Sequence, residues 1–213
     1  MVGGWTLRTC TGWSTTNRGG GAFYTVEEVA AIGALCRSRA LRLHCDGARL
    51  FNAVVATGAS AVEFAIHCDT VSFCLSKGLG APVGSVLVGT RETIHRAHRF
   101  RKMLGGGMRQ AGVLAAAGLY ALHHHIEDLR GDHRRARQFR EALEAAGFTL
   151  PLPSPTNIVY VQVPDAPGCV LALTAKGVRV LAVNERRIRA VFHRDIDDAA
   201  LDQTIQAFLA LPR

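Results

Sequence analysis

The sequence predicts an α/β fold: a mainly parallel sheet with flanking helices, followed by a small C-terminal α+β domain. Three observations carry this. A short run with two leucines stands at 41–45 (LRLHC) and one rich in β-branched and aromatic residues at 70–75 (TVSFCL), each stopped by turn residues, as strands are. Between them Leu50, Ala53, Val54, Val62, Ala65 and Ile66 recur at helical spacing. Strand, helix and strand in that order make a unit whose two strands lie parallel. After Pro151, Pro153 and Pro155, strands and helices alternate in shorter pieces to the C-terminus.

Taken in order, residues 1–22 are glycine-rich and aperiodic, and read as an irregular N-terminal extension. Thr25-Val-Glu-Glu28 is a capping box, opening a helix that carries Val26, Val29, Ala30, Ile32 and Leu35 to about Arg39. Asp46-Gly47 ends the first strand and Ser76-Lys77-Gly78 the second. A turn at 78–82 leads to a strand at 83–88 and a helix at 91–103, which Gly105-Gly106-Gly107 breaks. The small-residue helix at 110–125 is expected to be buried nearly all round. A charged helix at 126–146 ends at Gly147, in the position of a C′ glycine.

Beyond the stiff proline link, 157–163 alternates like a half-buried strand. A helix at 170–176, strands at 178–183 and 187–192, and a closing helix at 196–211 complete the chain. The domain boundary is therefore placed near residue 150, giving an extension (1–22), a large domain (23–150) and a small domain (151–213).

At 213 residues, 48% hydrophobic and 20% charged, the chain has the composition of a globular protein, which argues against wholesale disorder. Its net charge of +8 raises the possibility of an anionic partner. The excess is mostly arginine spread along helices, so solvated helix faces and a phosphate-bearing ligand account for it better than nucleic acid does. Cysteines 10, 36, 45, 68, 74 and 169 show no CxxC pairing, and most sit in apolar runs. That pattern favours free thiols and a reducing compartment. No apolar run approaches bilayer length and no secretory signal is visible. The expected location is cytoplasmic. Mitochondrial import stays open, because the first 26 residues lack acidic groups and carry Arg8 and Arg18.

Asp46 and Lys77 are the residues with the most chemistry to offer. They end adjoining parallel strands, and ligands of open α/β sheets sit off the strands' carboxyl ends. A lone lysine there is ordinarily a solvated charge. A lysine can also bind a carbonyl as a Schiff base, and pyridoxal phosphate needs such a lysine together with a carboxylate opposite its ring nitrogen. The triplet His123-His124-His125 suggests a metal, but consecutive helical residues point in different directions and cannot converge on one ion. No metal site is expected.

HCDGARLFNA (44–53), CLSKGLGAPVGS (74–85), RKMLGGGMRQ (101–110) and IRAVFH (188–193) resemble successive motifs of the low-specificity L-threonine aldolases. These are pyridoxal-phosphate enzymes of the aspartate-aminotransferase-like fold, fold type I. The resemblance runs from about Gly19 to the C-terminus. It leaves the family's N-terminal portion, with its phosphate loop and ring-stacking histidine, without a counterpart in residues 1–18.

It implies that Lys77 is the Schiff-base lysine and Asp46 the partner of the ring nitrogen. Arg49 would lie near the phenolic oxygen, and Arg109 would reach the phosphate of a neighbouring subunit's cofactor. Arg189 would bind the substrate carboxylate, Lys102 would lie near the active site, and His193 would be peripheral. The implied activity is retro-aldol cleavage of L-threonine and L-allo-threonine to glycine and acetaldehyde. The implied assembly is a homo-oligomer, a tetramer by resemblance and at least a dimer if Arg109 reaches across. The alternative is an inactive remnant that only associates with itself or with a full-length partner.

Overall fold

In a computed structural model, which describes residues 10–14 and 19–211, Thr25 opens the chain's first helix as its sequence predicts. The Thr25 hydroxyl accepts from the Glu28 N–H (3.2 Å), while the Glu28 carboxylate accepts from the Thr25 N–H (2.8 Å). Two orphan donors are thereby satisfied at once. The chain divides into two compact units, one holding residues 10–14 and 23–126, the other 19–22 and 127–211.

The first unit is a four-stranded sheet of order β1-β2-β3-β4 with helices attached. Its strands are β1 (Cys10–Ser14), β2 (Arg42–Gly47), β3 (Thr70–Cys74) and β4 (Ser85–Gly89). β1, β2 and β3 run parallel, and β4 is antiparallel to β3. Helix α1 (Val26–Ser38) precedes β2. Between β2 and β3 the predicted helix is two helices, α2 (Leu50–Thr57) and α3 (Ala61–Ala65). Gly58 ends α2 at φ 77°, and Ser60 with Glu63 starts α3 with a second capping box. Both break signals are local and stand in the sequence. The shared apolar spacing on either side of them concealed the break.

Alternation along β2 buries Leu43, Cys45 and Gly47 and leaves His44 and Asp46 on the other face. Leu43, Cys45 and Val71 pack with Val29, Leu50, Ala53 and Phe64 into this unit's core. Asp69 ties the two strands together at their start, accepting from the Leu43 N–H (2.8 Å) and pairing with Arg42 (2.6 Å). Partial burial works against the Asp69 carboxylate, yet these two partners hold its titration below the usual range. At the other end, a methyl group at Gly47 would lie 2.7 Å from the Ser72 carbonyl oxygen. Only glycine lets β2 pass β3 there.

β1 corrects the reading of residues 1–22 as wholly irregular. Cys10–Ser14 pairs with Arg42–Asp46 of β2. The segment CTGWS lacks an apolar alternation, and parallel pairing recruits its backbone groups whatever its side chains. Expectations for residues 1–9 and 15–18 lie outside the described residues.

Helices α4 (Arg91–Met103) and α5 (Gly112–His124) complete this unit. Thr90 caps α4, accepting from the Thr93 N–H (3.3 Å). The expectation that α5 is buried nearly all round is not met. Only Gly118 and Ala121 are buried, while Val113 is 81% and Leu119 57% exposed. A residue type says what a surface would prefer, and only the Gly118 side, which lies close against Leu75, finds an apolar partner here.

The second unit is built on α6 (Leu129–Ala145), whose Leu129, Ala136, Phe139 and Leu143 form a buried stripe at helical spacing. Gly147 (φ 86°) ends it in a Schellman motif. Its N–H reaches the Glu144 carbonyl and the Phe148 N–H reaches that of Leu143. A three-stranded antiparallel sheet follows, with β7 (Arg187–Val191) between β5 (Ile158–Gln162) and β6 (Leu181–Asn184). α7 (Ala166–Ala175) and α8 (Asp198–Leu209) pack on it, and in its core Phe139 meets Phe192 at a tilt and Phe208 edge to face.

The compact units divide at residue 126 rather than near 150, because α6 contributes its apolar stripe to this core. β5 is buried on both faces along 158–161, not half-buried as its alternation predicts. Residues 19–22 return beside it, with the Thr156 hydroxyl donating to the Gly21 carbonyl (2.7 Å).

Two stability predictions follow from this packing. Gly47→Ala is expected to cost about 1–3 kcal/mol, as overpacking typically does. Denaturant titration measures it, and an unchanged midpoint would mean that the strands have room to spare. His133 is buried, and burial, followed by the charges of Arg137 and Arg130, lowers its pKa to about 4 from 6.5. Between those two values the unfolded chain holds a proton that the folded chain does not, so stability falls as pH drops through that window. The slope from this group reaches about 1.4 kcal/mol per pH unit. Comparing denaturation at pH 7 and pH 4.5, His133→Gln is expected to flatten the loss relative to the parent chain.

Candidate active site

The site residues of the first unit are placed by one register. β2 and β3 pair in parallel with Asp46 opposite Ser72 and Gly47 opposite Phe73. Asp46 therefore stands at the carboxyl end of β2, and Lys77 follows in the turn just beyond the carboxyl end of β3. Both are exposed. The Asp46 Oδ1 accepts from the Ala48 N–H (3.2 Å), which orients the carboxylate, and no other hydrogen bond engages it among the described residues. The Lys77 ammonium likewise has no hydrogen-bonded or ion-paired partner among them.

The turn that carries Lys77 is well anchored. Its carbonyl accepts from the Gly80 N–H (2.9 Å), and Ala81 and Gly84 close back on Leu75 through backbone bonds. Leu79 and Ala81 are buried on either side of Gly80, which takes φ 71°. The His125 Nδ1 donates to the Leu79 carbonyl at 2.7 Å, which fixes the ring's tautomer. In the sequence the histidine triplet suggests only metal ligands, and no local signal links His125 to a turn 46 residues away. His124 stacks on Tyr120 instead, with ring centres 4.3 Å apart.

On the face of the sheet opposite the core, His44 and Asp46 alternate along β2 while Thr70 and Ser72 stand across from them on β3. The His44 Nδ1 lies 2.8 Å from the Thr70 hydroxyl, and its Nε2 lies 3.5 Å from that of Ser72. Beneath them Cys45 is buried. A hydrogen bond with Cys68 and then burial push its thiol well above the ordinary range, so no thiolate lies next to Asp46.

Arg49 is half-buried and stands at the N-cap of α2. Asp46 belongs to the preceding strand rather than to the helix start. Lys102 lies in the last turn of α4, its stem against Gly107, in a groove of about 780 Å³ that Arg91, His95, His98 and Arg101 also line. Neither Asp46 nor Lys77 lines that groove. Arg109 is exposed in the bend before α5 rather than in the helix's first turn. Arg189 belongs to the second unit, on β7 opposite Tyr160 and Leu181. Its Nε is buried without a hydrogen-bond partner, and His193 beside it pairs with Asp195 at the surface. Among the described residues no three potential metal ligands cluster. No helix among them is long and apolar enough to cross a membrane.

The beta-eliminating lyase family matches residues 12–166. Among curated proteins, the low specificity L-threonine aldolase of Escherichia coli K12 is 46% identical over 177 residues, covering 82% of this chain and 53% of that protein. Low-specificity L-threonine aldolase 1 of Arabidopsis thaliana is 37% identical over 202 residues, covering 92% of this chain and 56% of that one. The chain thus spans little more than half the length of these relatives.

Among solved structures, the threonine aldolase of Leishmania major superposes with a TM-score of 0.80 at 19% identity, covering 95% of this chain and 61% of that chain. An aminotransferase from Staphylococcus aureus gives 0.72 at 21% identity, covering 94% and 57%. These two show the shared α/β fold, that of the fold type I enzymes. With the family match across most of its length and its close identity to threonine aldolases, this chain belongs to the beta-eliminating lyase family.

Proposed function

We propose that this chain carries the lysine, the ring-nitrogen carboxylate and the carboxylate-binding arginine of a pyridoxal-phosphate-dependent L-threonine aldolase. The reaction is retro-aldol cleavage: the Cα–Cβ bond of L-threonine or L-allo-threonine breaks, acetaldehyde leaves, and Cα takes a proton to give glycine. The observation that carries the reading is the placement of Asp46 and Lys77 at the carboxyl ends of two paired parallel strands.

The residues present fit the cofactor. Lys77 is an exposed amine without an acidic partner among the described residues, as a lysine needs to be if it is to bond a carbonyl carbon. Among the described residues Asp46 keeps one oxygen without a hydrogen bond, and a carboxylate there holds a ring nitrogen protonated. Pyridoxal phosphate, when bound, supplies the electron sink for the pair left on Cα.

Arg189 suits a bidentate hold on the substrate carboxylate, and its buried, unbonded Nε is the kind of donor such a ligand would satisfy. Arg109 is assigned to the cofactor phosphate, Arg49 to the phenolic oxygen and Lys102 to the substrate side. Arg109 serves this role across a subunit boundary, so the working form is an oligomer. Exposed Val113, Leu119 and Tyr120 on α5 and exposed Leu87 and Val88 on β4 favour such association. The same surface supports the second reading, a chain that only self-associates.

Purified chain mixed with pyridoxal phosphate is expected to develop an absorption band near the visible edge. Borohydride should then fix the cofactor to the peptide containing Lys77, and Lys77→Ala should abolish both signals. A band that survives that substitution would overturn the assignment. Sedimentation is expected to show a dimer or larger species, which Val113→Glu together with Leu119→Glu should dissociate. A monomer in the parent chain would remove the reading in which Arg109 serves a neighbour.

A further inference from the structure

His44 is part of the open sheet face, yet none of the roles assigned above uses it. It is half-buried, two residues before Asp46 on β2, and alternation puts both on the same face. Its register partner on β3 is Thr70, and that of Asp46 is Ser72. The imidazole spans both hydroxyls, with Nδ1 2.8 Å from Thr70 Oγ1 and Nε2 3.5 Å from Ser72 Oγ. On β1 the register partner of Asp46 is Ser14; towards β3, His44 precedes Asp46 along its strand and Ser72 stands across from it, and these two contact each other.

We propose that His44 is a positioning residue: with Thr70 and Ser72 it forms a cross-strand wall that restricts the Asp46 carboxylate to the orientation in which it meets a protonated ring nitrogen. The inference rests on the cofactor reading above and deepens it. A neutral imidazole has one donor and one acceptor, and hydroxyls can complement either. Both ring nitrogens are therefore occupied within the wall. Neither is left to draw the carboxylate into an ion pair, and the Asp46 oxygen that has no hydrogen bond among the described residues stays available.

The cross-strand contacts run from Thr70, the first residue of β3, to Ser72, whose carbonyl Gly47 closely approaches towards the carboxyl end of the β2–β3 pair. The position of Ser72 therefore bears on Gly47, the residue that follows Asp46. Prealigned acceptors bind more tightly than mobile ones because the ordering cost is met during folding.

The test is a double-substitution cycle read by pyridoxal-phosphate affinity, titrated through the visible band, with thermal melting followed in parallel. His44→Phe keeps the ring's bulk and removes both nitrogens. It is expected to weaken cofactor binding roughly tenfold, the scale of coupling between adjoining residues, while leaving the melting temperature close to that of the parent. His44→Asn, which places an amide near the Nδ1 position, is expected to recover most of the loss. In an Asp46→Asn background, His44→Phe is expected to change affinity little, because its effect passes through the carboxylate.

Thr70→Val removes the 2.8 Å contact with His44 in place and is expected to reproduce the loss, which keeps the test sound if His44→Phe folds poorly. Affinities unchanged in both His44→Phe and Thr70→Val overturn the positioning role alone. So does an equal loss in the two Asp46 backgrounds. Absence of any Lys77-dependent band in the parent chain overturns this inference and the cofactor reading together.

Discussion

The parallel pairing of β2 with β3 is the constraint on which the rest of the first unit depends. It commits Leu43, Cys45 and Val71 to one core with Leu50 and Phe64, and by the two-residue period it commits His44, Asp46, Thr70 and Ser72 to the other face. A slip of β2 by one residue would bring Asp46 and His44 into the apolar core and expose Leu43 and Cys45. Burying a carboxylate without partners costs far more than a local rearrangement can return. The register that folds the unit is therefore the register that presents the acid, and Gly47 is what permits it, because any larger residue would push β2 away from the Ser72 carbonyl.

The second unit solves a different problem by similar means. Its core is three phenylalanine rings and the apolar stripe of α6, and buried Asp132 is set at the edge of that stripe. Burial raises the Asp132 carboxyl above the usual range, and Arg135 at 3.3 Å works against that rise. A buried pair of this kind contributes little net stability, but removing one partner leaves an uncompensated group. Arg189 emerges from this framework on the central strand β7, held between β5 and β6. Each unit thus sets the stiffness of its own residues through its own packed core.

Much of this was legible in the chain because it rests on local rules. The Thr25 capping box, the stop at Asp46-Gly47, the helix over 91–103 and the C′ glycine at 147 are each written in a few adjacent residues. Lys77 was legible for a similar reason, since a strand end and a glycine-rich turn are both local signals. What escaped depends on partners distant in sequence. β1 becomes a strand only because β2 offers it a backbone ladder, and the burial of β5 on both faces involves residues 19–22 returning beside Thr156. His125 supports the lysine turn through one hydrogen bond to Leu79, and His44 spans two hydroxyls of the neighbouring strand. Period and propensity describe a segment, and neither contains the address of a side-chain partner.

The surface of the first unit separates two kinds of exposed helix, and the difference bears on what each is for. α4 buries none of its residues, yet it is densely basic and can meet water without penalty. α5 is apolar, buries only Gly118 and Ala121, and shows Val113, Leu119 and Tyr120 to solvent. Water alone accounts for the first pattern but not for the second, since exposed apolar area of this extent carries a cost that another surface could relieve. Gly112 and the alanines at 115–117 leave little bulk on α5, so a second helix could approach it closely while Val113 and Leu119 lose their contact with water. Arg109 stands just before this helix, three residues ahead of its first turn. An association that covered α5 would therefore carry Arg109 towards the partner, so the apolar surface that favours assembly also brings a cation to the same boundary.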